Sequence, residues 1–374
     1  MKNRLLPMMF GLFVVLLLAG TYLKAPPKLD EQMLVSLGRP TRMVAQMEDY
    51  FKENLFLQKP LRTLFLRLQL ATGNRQHNGI YLCNDGLVEN FIPSEDTDLY
   101  PRNIHAIRQL AADTGLPTAL LLLPTASAVY LDRLPPFAGQ VQFNQPAFIQ
   151  RTSEELLGEV AVVDVYPTLY AARSEPLYYR TDSDLTSRGG YLAYTALVRR
   201  LGLTPIPATS FHQQFGSTPY YGSLYHQWGY PGIRPDTVST YHLTTNPPTV
   251  RVEHWLRFEQ KVYYTLYPTQ ATVSGNPRDV ILGGHSPRIQ ITNDSLTGSA
   301  GNLLLLGDSN ALSVLPFLAL HYRQITYADP SLLTDSELEA LSTQDSTQIL
   351  FLFSIETFLN STQPARAAGI SRDE

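Results

Sequence analysis

The chain has 374 residues, of which 17% are charged and 44% apolar, with a formal net charge of −4 and one cysteine. That length holds one large domain or two smaller ones, with enough apolar material for a buried core. A mildly acidic balance without a Lys/Arg cluster excludes nucleic acid as an expected partner, and a lone Cys83 excludes a disulfide framework or a cysteine-built metal centre.

At the N-terminus, Lys2 and Arg4 precede an uncharged run over 5–23 that ends at Lys24. Nineteen residues rising about 1.5 Å each reach roughly 28 Å, close to the thickness of bilayer hydrocarbon. No clear A-x-A cleavage site and no nearby cysteine follow, so 1–24 reads as a retained signal-anchor, with a cleaved signal peptide as the alternative. Positive charge ahead of the run places the N-terminus in the cytoplasm. The expectation is a single-pass cell-membrane protein whose C-terminal domain is extracytoplasmic. An oxidising exterior agrees with the near absence of cysteine.

Residues 25–75 read as a membrane-proximal helical region. Met43, Met47, Tyr50, Phe51, Leu61, Leu64 and Leu68 recur there at three- and four-residue spacings. A larger domain over 76–361 follows. The segment 78–82 reads as a strand running into the tight turn Asn84-Asp85-Gly86. The pattern then predicts a helix over 101–114, a strand over 119–123, a helix closing at 154–159, a strand over 160–165 and a helix over 188–201. Further on it predicts strands at 302–306, 324–327 and 349–353, with helices over 311–322 and 334–341 between them. Strands this apolar, alternating with helices, imply an α/β fold with a mostly parallel sheet covered on both faces. Residues 205–300, rich in Pro, Tyr, Thr and Gly, read as an irregular, partly β insertion with a β-like stretch at 261–267. Residues 362–374 read as a loose tail.

Three segments carry chemistry. The strand 302–306 runs into Gly307-Asp308-Ser309-Asn310, which sets a serine at the C-terminal edge of a parallel sheet, where such folds bind ligands. Ser309 is the candidate nucleophile; the alternative is a plain helix cap. Gly307, Asp308, Asn310 and Gly284 are candidate oxyanion or positioning groups. The second segment holds Asp182 and Asp184, two carboxylates before a helix, paired with Arg180 or Arg188, or with Asp184 or Thr186 as a helix cap. The third, Gly283-Gly284-His285, offers His285 as a base for Ser309 or as an ordinary surface histidine. Tyr220, Tyr221, Tyr225, His226, Trp228 and Tyr230 form an aromatic run suited to stacking on sugars or to packing. A Ca²⁺ or Mg²⁺ site from Asp182, Asp184 and Asp308 is the weakest reading; no metal is assigned, and no cofactor is expected.

Taken in order, these segments resemble the DHHW family of bacterial extracytoplasmic proteins, related to the SGNH-hydrolase-like proteins of alginate and other polysaccharide O-acetylation. The resemblance spans most of the chain. It includes Glu48-Asp49-Tyr50, Asn78-Gly79-Ile80-Tyr81-Leu82, Leu121-Leu122-Leu123-Pro124, Val163-Asp164-Val165-Tyr166, Tyr178-Tyr179-Arg180-Thr181-Asp182, Gly283-Gly284, Gly307-Asp308-Ser309 and Pro316-Phe317-Leu318. It implies a three-layer α/β/α SGNH-like domain in which Ser309 is the nucleophile and Asp182 the aspartate of an Asp-x-His pair. It also implies a serine-dependent O-acetyltransferase or esterase, acting on a polysaccharide or acyl-sugar beside a membrane-bound O-acyltransferase. The motif departs from the family pattern as Asp182-Ser183-Asp184-Leu185: Asp184 stands where the catalytic histidine is expected, and His285 where an asparagine is expected. A non-catalytic glycan-binding or scaffold protein is the alternative that this departure raises.

Overall fold

The computed structural model describes residues 5–25, 50, 54–140, 142–229, 232–256, 259–296, 300–341, 343 and 345–369. Met43, Met47 and Phe51 of the expected stripe and positions 370–374 of the expected tail lie outside these. Two compact units divide the chain: Met1–Asn74 with Gly229–Gly232, and Arg75–Trp228 with Ile233–Glu374.

The first unit contains α1 (Leu5–Lys24) and α2 (Gln58–Ala71). The window Pro7–Lys24 has a mean hydropathy of 1.7 and is only 6% buried, so α1 is long and apolar enough to cross a membrane, a test that a signal sequence also passes.

The second unit begins with a small antiparallel sheet, β1 (Gln76–His77), β2 (Ile80–Leu82) and β3 (Leu87–Glu89). Asn78 and Gly79 link its first two strands with φ of 50° and 72°, the left-handed pair that a two-residue hairpin turn requires. Next come α3 (Leu99–Thr114), β4 (Thr118–Leu123), α4 (Gln145–Glu155), β5 (Ala161–Val163) and α5 (Ser187–Arg200). The segment expected to be an insertion holds β6 (Phe211–Tyr220), β7 (Asp236–Leu243), β8 (Val250–Trp255), β9 (Gln260–Tyr263) and β10 (Arg288–Asn293). The chain then runs through β11 (Asn302–Gly307), α6 (Leu315–Leu318), β12 (Gln324–Ala328), α7 (Asp335–Glu339), β13 (Gln348–Ser354), α8 (Ile355–Asn360) and α9 (Gln363–Ala367).

The central sheet has the order β5-β4-β13-β11-β12-β10-β8-β9. Its first five strands are mutually parallel, and β10, β8 and β9 extend it antiparallel. Among the described residues of the expected insertion, β6 and β7 form a separate two-stranded ribbon, while β8, β9 and β10 complete the central sheet. Side-chain alternation explains the three layers. Leu121, Leu303, Leu305, Leu350 and Leu352 face one core with Tyr194 and Leu197 of α5. Leu120, Leu122, Leu304, Leu306, Phe351 and Phe353 face another core with Ile104 and Ile107 of α3 and Ile149 of α4. Each fully buried leucine contributes about 1.5–3 kcal/mol of transfer free energy.

Two expected elements differ. The helix expected over 311–322 is a 3₁₀ turn, Ser309–Ser313, followed by the short α6. Pro316 lacks an N–H and so is accommodated only in a first helical turn, and the α-helix accordingly starts afresh at Leu315 with Pro316 in that turn. The expected loose tail contains α9, with Pro364, Ala365 and Ala367 buried. It is fastened by the Ala365 N–H to Asn103 Oδ1 at 3.1 Å and by Arg366 to the Leu333 carbonyl at 2.9 Å.

A candidate serine site at the C-terminal sheet edge

Ser309 leaves the C-terminal end of β11, next to the ends of β13 and β12. Asp308 shapes this turn: it caps the 3₁₀ turn by accepting the Asn310 N–H at 3.0 Å, while its other oxygen accepts the Ser354 N–H at 2.8 Å. Burial raises the Asp308 pKa, against the lowering effect of those N–H donors. Gly307 is required because a Cβ there would collide with the Leu352 carbonyl of β13. Ser309 does not cap the turn. Among the described residues neither its hydroxyl nor its N–H has a hydrogen-bond partner, and the residue is half-buried.

Ser309 lines a cavity of about 300 Å³ together with Asp182, Asp184, Arg278, Gly284 and His285. The structure therefore brings both sequence-nominated carboxylates, the histidine and the serine to one place. Thr186, not Asp184, caps α5, through the Gly189 N–H at 3.2 Å, and this leaves Asp184 free to face the cavity. The cation beside the two carboxylates is Arg278, from the 3₁₀ turn Pro277–Val280, in place of Arg180 or Arg188. Arg180 pairs with Asp236 and Arg188 with Glu175. Arg278 Nη1 bonds the Asp184 carboxylate and lies 3.8 Å from Asp182 Oδ2. Burial opposes the charge on Arg278, yet Asp184, Tyr179, Tyr220 and Asp182 together raise its pKa above the ordinary value. A guanidinium thus occupies the space that a divalent cation would take. Among the described residues, no group of three or more His, Cys, Asp or Glu is arranged to hold a metal.

Asp182 is held from several sides. Its Oδ1 accepts the Ser183 N–H at 2.9 Å and the Ser223 hydroxyl at 2.8 Å, and its Oδ2 accepts the Tyr220 hydroxyl. Of the aromatic run, Tyr220 and Trp228 are buried, so they pack within the fold; Tyr221 stays exposed with its ring 4.4 Å from that of Tyr225. Tyr230 lies outside the described residues. His285 follows Gly283 and Gly284, whose φ angles of 95° and 97° suit glycine. The Gly284 N–H is committed to the Ile281 carbonyl at 3.0 Å and the Asn310 N–H to Asp308, so neither backbone N–H is free for an oxyanion. His285 Nε2 meets Asp329 at 2.8 Å; it makes no hydrogen bond to Ser309.

Acids accumulate behind the cavity. Burial pushes Glu356 up to about 7, aided by Glu89, Asp308 and Asp184, and burial also raises Glu89, aided by Asp182 and Asp184. The sequence reading missed Arg278, Asp329 and Glu356, which carry no local motif. Cys83 is buried, with its thiol pushed up to about 11, which agrees with an inert role.

The fold recurs in known proteins. Residues 94–251 match a family profile described as SGNH hydrolase-like domain, acetyltransferase AlgX. The chain has an SGNH hydrolase-like fold. A DHHW family protein from Eubacterium siraeum is 18% identical, with a TM-score of 0.63 over 78% of this chain and 95% of that one. PatB1 of Bacillus cereus is 14% identical, with a TM-score of 0.60 over 76% of this chain and 98% of that one, and a second PatB1 structure contains a sulfonyl adduct. No curated protein matches the chain in sequence. The three-layer SGNH-like fold expected from the sequence is the fold observed. The profile match contains Asp182 and Asp184 and ends before His285 and Ser309.

Proposed function

We propose that this protein is a membrane-anchored, extracytoplasmic, serine-dependent O-acyltransferase or esterase that acts in O-acetylation of a secreted or cell-wall polysaccharide. Ser309 attacks the acyl carbonyl, its own N–H faces the developing oxyanion, and His285 accepts the proton. Asp182, held by Tyr220 and Ser223, and Asp184, held by Arg278, shape the opposite wall. The carrying observation is that Ser309, His285, Asp182 and Asp184 line one cavity at the C-terminal sheet edge. The acetyltransferase description of the matching profile supports acetyl as the group moved. The apolar length of α1 supports an anchor through residues 5–23; a membrane-bound O-acyltransferase as donor partner is part of the same proposal.

A second reading rests on one observation: the Ser309 hydroxyl has no hydrogen-bonded base, while Arg278 engages the aspartate at the family's histidine position. In that reading the cavity binds glycan without turnover and the chain serves as a scaffold for the acyltransferase. The two readings separate on acetyl-ester hydrolysis by the full chain in detergent. We expect Ser309→Ala to lose about 10³-fold or more in rate while its melting temperature stays unchanged. Equal rates for the two proteins overturn the enzymatic reading.

A further inference from the structure

His285 is held by a carboxylate outside the family motif. Asp329 sits one residue past the end of β12, 1% exposed. One of its oxygens accepts the Ser331 N–H at 2.7 Å; the other lies 2.8 Å from His285 Nε2. Strand register brings the two together. In the antiparallel β10–β12 pair Arg288 stands opposite Ala328, so the residues just before β10 flank those just after β12. The Asp329 N–H donates to the Pro287 carbonyl at 2.9 Å and closes that junction. Tyr327 extends it toward the serine: its hydroxyl lies 3.4 Å from His285 Nε2 and donates to the Asp308 carbonyl at 3.2 Å, one residue before Ser309. A carboxylate buried this deeply needs donors, and among the described residues it has one backbone N–H and one imidazole.

We propose that Asp329 is the positioning residue of a relocated Ser309–His285–Asp329 relay, which takes over from the Asp-x-His pair that this chain lacks. The inference rests on the reading of Ser309 as a nucleophile. Asp329 accepts the Nε2–H of His285 and so fixes the tautomer whose lone pair is on Nδ1. As Ser309 Oγ bonds to the acyl carbon, its proton passes to Nδ1, directly or through one water. Collapse of the tetrahedral adduct breaks the bond to the donor oxygen, which leaves with the proton from Nδ1. A sugar hydroxyl or water then attacks the acyl-serine and gives its proton to Nδ1, and Ser309 Oγ departs and takes that proton back. Asp182 and Asp184, engaged by Arg278, stay outside the proton path. His285, with its side chain about one-third exposed, and Ser309 face the same cavity without a direct bond, an arrangement that substrate can draw together.

The test uses the full chain in detergent with p-nitrophenyl acetate as the acyl probe, comparing Asp329→Asn, Asp329→Glu, His285→Ala and Ser309→Ala. Asp329→Asn, which keeps shape and removes the acceptor charge, is expected to lower kcat about 10²–10⁴-fold with KM within about threefold. Asp329→Glu is expected to restore at least a tenth of the lost rate; a merely structural tie would show no such split and no such rescue. Wild-type kcat in Asp329→Asn, with Ser309→Ala inactive, overturns the relay and leaves the serine reading standing. Wild-type kcat in Ser309→Ala overturns the serine reading itself. Should Asp329→Asn fail to fold, Asp329→Ser decides for the carboxylate: loss of kcat with retained melting temperature supports the relay, and unchanged kcat in it or in His285→Ala overturns it.

Discussion

In the parallel half of the sheet β4 is buried at all six positions, whereas in the antiparallel half β10 alternates between half-buried and fully buried residues. The same contrast separates β11, buried at every position after Asn302, from β8, where Arg251 and Trp255 are exposed between buried Val250, Val252 and His254. Helices cover both faces of the first half, while the second keeps one face partly wet. The division has a chemical consequence. The dry half supplies rigid strand ends that fix Ser309 and Asp308. The wetter half and the loops feeding it supply the long polar groups, Arg278 and His285. The candidate site lies where β12 of one half meets β10 of the other, and it takes Ser309 from the first half and His285 and Arg278 from the loops feeding the second.

The largest expected effect comes from cutting a tie between the halves. Arg278→Met leaves Asp182 and Asp184 buried without their cation, at an expected cost of about 3–5 kcal/mol in urea unfolding. Adding Asp184→Asn removes one of the stranded charges and should recover a measurable part of that loss. A wild-type midpoint for Arg278→Met shows that the halves are joined by other contacts. Next in size is the contrast within the sheet itself. Leu305, 0% exposed in β11, should cost about 2–5 kcal/mol on replacement by alanine. Arg251→Ala on the exposed side of β8 should change stability by no more than about 0.5 kcal/mol. Similar losses at the two positions would erase the distinction between a strand buried on both faces and one buried on a single face.

Most of the parallel half was legible because β4, β11 and β13 are nearly uninterrupted apolar runs, and Ser309 was legible because Gly307-Asp308 follows one of them. Helix α5 was read correctly for the same local reasons, a small polar cap and an apolar stripe. Pro316 is the local signal of the break inside the helix expected over 311–322. The α9 helix was invisible because five residues carry little intrinsic helicity; Asn103 and Leu333, distant in sequence, hold it in place. The partners at the site were hidden for the same reason. Arg278 is 94 residues from Asp184, and Asp329 is 44 from His285, so only the folded register of β10 against β12 and the course of the 277–280 turn make them neighbours. Local pattern finds the residue at a strand end and fails for the residue that reaches it across the sheet.

The subtlest expected effect concerns charge on the dry side. Glu356 opens α8 at the end of β13, and burial first, then Glu89, Asp308 and Asp184, push its pKa to about 7 from an ordinary 4.5. The folded protein therefore takes up a proton between those values, and stability falls as pH rises through that window. The whole shift corresponds to about 3 kcal/mol at most, and the partial exposure of Glu356 reduces what is realised. Glu356→Gln should flatten the fall: below about pH 4.5 it matches the wild type, and above pH 7 its melting temperature should be higher by a few degrees. Parallel melting curves for the two proteins across pH 4.5–7.5 would mean that neither burial nor the neighbouring acids raise Glu356. The cleft would then owe its charge balance to Arg278 and the antiparallel half alone.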